Sequence, residues 1–174
     1  MSTALILPLR SLTRIMLVLA LFSSVAAAAV PAAPPLDRKT VSLALANELA
    51  TAVIEKCMAL GKASVVAVVD RGGNLVALQR GDDIGPHNTI AAQRKAFTAL
   101  STKTATTLLA KRAATDPTAG NLTTVPELLL LGGGLPLVVE GETIGGIGVA
   151  GSGGSANDDL CAAAAIAQVL PTNH

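Results

Sequence analysis

Residues 128–167 read LLLLGGGLPLVVEGETIGGIGVAGSGGSANDDLCAAAAIA, and the punctuation of this stretch decides the fold. An apolar run, Leu128–Leu131, stops at Gly132–Gly134. A second run, Leu135–Val139, reaches the polar turn Glu140–Gly141–Glu142. A third, Thr143–Ala150, enters Gly151–Gly154. Short apolar runs bounded by glycine or proline predict strands, and a short turn containing glycine between two of them predicts a hairpin. A helix follows the last glycines. Ser155 is its expected N-cap, and Asp158 three residues on suggests a capping box. Asn157, Asp158 and Asp159 put polar and negative groups in the first turn, where the helix dipole favours them.

Upstream, Val41, Leu45, Leu49, Val53, Cys57 and Leu60 recur at helical spacing and predict an amphipathic helix over Thr40–Leu60. Ser64–Asp70 is rich in β-branched residues and reads as a buried strand. Asp70–Asn74 (DRGGN) is turn chemistry, and Leu75–Arg80 returns as the second strand of a hairpin. After the polar loop Gly81–Pro86, helices are expected over His87–Leu100 and Thr104–Ala114, then a loop over Thr115–Thr124. The order α, β, β, α, α, β, β, β, α predicts an α+β domain. Its five-stranded, mainly antiparallel sheet would have one face covered by helices.

Residues 1–29 have the form of a secretory signal peptide. Arg10 and Arg14 supply the basic region, Ile15–Phe22 the short apolar core, and Ala26–Ala29 small-residue cleavage sites. Residues 30–39 form a Pro/Ala-rich leader, and the domain is expected over 40–171. This predicts a periplasmic or secreted protein, with no membrane association once the leader is removed. Setting aside Arg10 and Arg14 leaves 11 basic against 12 acidic groups among the 174 residues. Without a basic footprint, nucleic acid is not an expected partner. The chain is 51% hydrophobic and only 1% aromatic, so its core must be built from aliphatic side chains. So much aliphatic surface on the elements predicts a homo-oligomer.

Gly146-Ile147-Gly148-Val149-Ala150-Gly151 matches G-x-G-x-x-G, but its first glycines fall inside a predicted strand and the next helix opens with aspartates. Close backbone packing is the better reading. The two cysteines, Cys57 and Cys161, lie on the first and last predicted helices. They are either a disulfide, which export would favour, or two buried thiols. His87 opens a helix after Asp82 and Asp83 and is a candidate base or metal ligand, or a surface cap. Arg94 and Lys95 are candidate anion donors. No serine stands at a nucleophile turn.

The stretches VVAVVDRGGNLVAL (Val65–Leu78), RKAFTAL (Arg94–Leu100) and Leu131–Ala165 together resemble the GlcG/HbpS-like family of haem-degrading domains. The resemblance covers about residues 40–170. It implies a profilin-like antiparallel sheet with helices, a haem-binding or corrinoid-linked role, and oligomers. It carries the family's Lys and Thr of the KAFTA element onto Lys95 and Thr98. On this reading haem is the expected cofactor, in a pocket where Gly81–Thr89 meets Gly132–Gly134 and Gly151–Gly154. His87, Lys95 or Thr98 would ligate the iron, Arg94 and Lys95 would hold propionates, and Gly133 and Gly134 would admit the ligand. A second reading is a cofactor-free lyase or isomerase acting on a small carboxylate metabolite. There His87 is the base, Arg94 or Lys95 the anchor, and Asp158 or Asp159 the acid. A third is a ligand-free accessory subunit.

Overall fold

A computed structural model describes residues 33–170; the expected signal peptide lies outside them. The elements run α1 (Leu43–Ala59), β1 (Val65–Asp70), β2 (Leu75–Arg80), α2 (His87–Thr102), α3 (Thr106–Thr115), a 3-10 turn (Gly120–Thr124), β3 (Gly134–Val139), β4 (Glu142–Ala150) and α4 (Ser155–Val169). The sheet has four strands in the order β2-β1-β4-β3, and every neighbouring pair is antiparallel.

The fifth expected strand is absent among the described residues. Leu128–Leu131 has the composition of a strand but is bent, because the Leu131 N–H bonds the Leu129 carbonyl 2.9 Å away. Such a three-residue turn is incompatible with an extended ladder. Two side chains of α2 take its backbone groups instead. Arg94 Nη2 donates to the Leu128 carbonyl at 2.6 Å, and the Leu129 N–H donates to Thr98 Oγ1 at 2.8 Å.

Helices cover both faces of the sheet, not one. Val66, Val68, Ile147 and Val149 pack with Leu49, Val53 and Ala162 of α1 and α4. Val65, Ala67 and Ala150 pack with Ala92 of α2 on the opposite face. This explains why β1 is apolar at every position from Val65 to Val69 rather than alternating: neither face meets water. Ser42 caps α1, its Oγ accepting from the Leu45 N–H at 3.2 Å. Cys57 and Cys161 are bonded, with their Cα atoms 5.4 Å apart, so the disulfide ties α1 to α4 on one face.

The two hairpins form where the turn residues predict them. In the first, Asp70 Oδ1 accepts from the Gly72 N–H at 2.8 Å and the Asn74 N–H at 2.9 Å. Burial pushes the Asp70 carboxyl up, but hydrogen bonds from Asn74 and the turn backbone outweigh it and leave it below the ordinary carboxylate range. In the second, Glu140 and Gly141 both have positive φ, 50° and 78°, as a two-residue hairpin loop requires.

Gly146 and Gly148 are on the α2 face of β4. A β-carbon on Gly146 would fall on the Ala96 carbonyl oxygen, and one on Gly148 on that of Ala92. The glycine motif therefore seats a helix backbone directly on a strand. Gly148→Ala must push α2 off the sheet, at a cost of about 3 kcal/mol. We expect a clear fall in the urea midpoint of that variant at unchanged secondary-structure content.

Candidate functional site

The expected site residues separate into three places. His87 is the first residue of α2 and exposed, its ring against Gly85. Lys95 lies eight residues further on, about 12 Å along the helix. It is 1% exposed, facing β4 and α4. Arg94 and Thr98 hold the Leu128–Leu129 segment.

Around Lys95 the chain builds a closed polar knot. Lys95 Nζ donates to Asp158 Oδ2 and to the Val149 carbonyl, each at 2.8 Å. Asp158 Oδ1 accepts from the Ser152 N–H at 3.1 Å and from the Ser152 hydroxyl. Asp158 thus fixes the glycine loop, not the helix end: Gly154 occupies the N-cap position and α4 starts at Ser155 without a side-chain cap. Asp159 accepts from the Gly133 N–H at 2.6 Å and from the Thr107 hydroxyl. The Gly134 N–H donates to Thr106 Oγ1 at 2.8 Å. Gly133 has φ +112°, and a β-carbon there would overlap the Val149 carbonyl oxygen and lie 2.7 Å from Asp158 Cβ. Gly133 and Gly134 let the chain approach α2, β4 and α4, where a ligand was expected. Gly151 does approach Ile84 and Asn88, but none of the clefts described below lies between those loops. The base, anchor and acid of a lyase or isomerase do not share an open site: His87 is exposed at the start of α2, and the Lys95–Asp158 pair is closed to solvent.

Open space lies on another side of α2, around Phe97, which sequence reasoning did not single out. Its ring rests on Gly73, whose β-carbon would meet Phe97 Cε2 at 2.8 Å. A cleft opens on each side of the ring. One, of about 280 Å³, is lined by Val69, Leu75, Gln93, Arg94 and Glu127 as well as Gly73 and Phe97. The other, of about 320 Å³, is lined by Arg71, Leu100, Ser101, Lys103 and Thr143 together with Gly72, Gly73 and Phe97. Arg94 Nε is buried and has no hydrogen-bond partner, although its Nη2 is engaged. Buried donors are seldom left so, and Arg94 also lines the first of these clefts. Phe97 could have been noticed in the sequence as the only aromatic after residue 22.

Residues 41–167 match the family described as haem degrading protein HbpS-like. The chain belongs to that family. Escherichia coli K12 protein GlcG is 36% identical over 109 residues, 60% of this chain and 80% of that one. A double mutant of Streptomyces reticuli HbpS is 38% identical at a TM-score of 0.73, covering 84% of this chain and 99% of that one. A crystal structure of PduOC in complex with haem is 29% identical at a TM-score of 0.68, covering 78% of this chain and 99% of that one. The HbpS-like assignment agrees with the α+β fold and antiparallel sheet described above.

The groove of this HbpS-like chain suits haem in two respects. Phe97, Leu75, Val69 and Leu100 offer an apolar wall to a porphyrin ring. Arg94 and Lys103 offer cations to its carboxylates, and Arg71, already paired with Glu142 at 3.4 Å, adds a third. No histidine lines it; the side chains there with atoms able to ligate an iron are Lys103, Glu127 and the hydroxyls of Ser101 and Thr143.

Proposed function

We propose that this protein is an exported haem-binding protein, serving haem sensing, storage or degradation, and that it holds haem in the groove around Phe97. The observation that carries the location is Arg94 Nε, buried without a partner beside an apolar cleft. A propionate would complete its hydrogen bonding with a charge-assisted pair, while the ring lies against Phe97 and Leu75. Arg71 and Lys103 stand in the adjoining cleft for the second carboxylate. Haem would supply an iron centre; the chain's part is to desolvate the ring and neutralise its carboxylates. Membership of the HbpS-like family and the haem complex of a 29% identical neighbour support the ligand.

Export is part of the proposal, supported by Arg10, Arg14, Ile15–Phe22 and the alanines after them, and by the disulfide, which persists in oxidising compartments. Homo-oligomerisation is supported by large apolar side chains left in solvent, among them Leu43, Ile90, Leu108 and Leu160.

Hemin titration followed at the Soret band tests the reading. We expect a saturable change at micromolar hemin. Arg94→Met should weaken binding at least about tenfold, the worth of a hydrogen bond to a charged group, with circular dichroism confirming the fold. His87→Ala should keep the wild-type affinity and band position. A wild type without saturable change removes the haem reading; loss of binding in His87→Ala alone moves the site away from Phe97.

A further inference from the structure

A third cleft lies away from Phe97, where α1 runs into β1. Ile54 and Met58 of α1, the Gly61–Ser64 connection and Arg80–Asp82 after β2 enclose about 460 Å³. Ser64 lines it and is 1% exposed, and its Oγ has no hydrogen-bond partner. Buried hydroxyls are rarely left in that condition.

The charges around the cleft are unbalanced. Among the described residues, no carboxylate lies within ion-pair distance of Lys62 or Arg80. Arg80 is held by neutral acceptors: Nη1 donates to Thr89 Oγ1 at 3.0 Å and Nη2 to the Ile84 carbonyl. Its position is fixed and its charge uncompensated. Lys62 Nζ lies beside Gly153. Asp82 supplies one carboxylate against these two cations. The negative end of α1 points toward the same place, but two of its last carbonyls are occupied. The Cys57 carbonyl accepts from the Leu60 and Lys62 N–H groups, and the Met58 carbonyl from that of Gly61.

The remaining wall is apolar. Met58 is 66% exposed and Ile54 partly so. Bare cations would also recruit phosphate, but an oxyanion leaves that wall wet. We propose that this cleft is a binding site for a small organic monocarboxylate. The carboxylate sits between Lys62 and Arg80 and accepts from Ser64, and a short alkyl chain covers Ile54 and Met58. The site uses none of the residues assigned to the haem groove, so either can fail without the other.

Met58 is the only methionine among the described residues, which gives a local probe. In haem-free protein labelled at methionine methyl groups, hexanoate should shift the Met58 methyl resonance saturably in the millimolar range or below. Acetate, four methylenes shorter, should bind at least about tenfold more weakly, since each buried methylene strengthens binding. Lys62→Ala and Ser64→Ala should each weaken hexanoate by about tenfold through loss of a donor to a charged group. Both variants should keep the wild-type unfolding midpoint, because neither side chain has a hydrogen-bond or ion-pair partner among the described residues. Absence of saturation, phosphate binding as tight as hexanoate, or an unchanged affinity in Lys62→Ala overturns the proposal.

Discussion

Lys95→Ala should lower stability by about 3–5 kcal/mol, because it leaves the Asp158 carboxylate buried and unpaired. The two side chains are 2% and 5% exposed and 2.8 Å apart, so water cannot substitute for the lost ammonium. The loss also frees the Val149 carbonyl, which accepts from Lys95 Nζ. A domain of this size is stable by only about 5–15 kcal/mol, so the melting temperature should fall by about 10 °C. The ion pair is the junction of four elements: Lys95 on α2, Val149 on β4, Ser152 in the glycine loop and Asp158 on α4. Asp158→Ala in the same background removes the stranded charge, and the double variant should recover part of the lost stability. Urea unfolding of the single and double variants measures the coupling. A Lys95→Ala midpoint equal to wild type would show that the knot does not hold the domain together.

The second large effect belongs to the disulfide. Cys57 and Cys161 are 104 residues apart in sequence, so their bond restricts most of the unfolded chain. A loop of that length contributes about 5 kcal/mol in the chain-entropy account. Cys57→Ala/Cys161→Ala should show this deficit with the native fold intact, since small apolar side chains replace two buried sulfurs. The two cysteines are 0% and 1% exposed, so reductant should have little effect on the native protein and a large one during unfolding. A double variant within about 1 kcal/mol of the oxidised protein would contradict the chain-entropy account here.

Most of the fold was legible locally. Turn residues announced both hairpins, and helical spacing announced α1 and α2. The error at Leu128–Leu131 has a physical cause. Four leucines have the composition of a strand, but a strand also needs a neighbour for its backbone groups. Here Arg94 and Thr98 supply the partners, and nothing in the run of leucines carries that information. The candidate site was less legible. The fold brings Lys95, Asp158, Asp159, Gly133 and Gly134 together without His87, and their polar groups bond one another and the backbone. Charged residue types in a glycine-rich setting read alike whether they await a ligand or satisfy one another.

The amino-acid sequence settled what depends on neighbours along the chain: the α+β class, the hairpin turns, the apolar strand β1 and the family. Periodicity, β-branching and glycine at positive φ act over a few residues. Tertiary structure decided everything that depends on which side chains meet across the fold. It closed Lys95 onto Asp158, put α2 against Gly146 and Gly148, joined Cys57 to Cys161, and left Phe97 beside open space. The same physics separates the two candidate cations. Lys95 and Arg94 are adjacent in sequence, yet the rotation of about 100° between successive helical residues sends Lys95 into the sealed interior and leaves Arg94 lining a cleft.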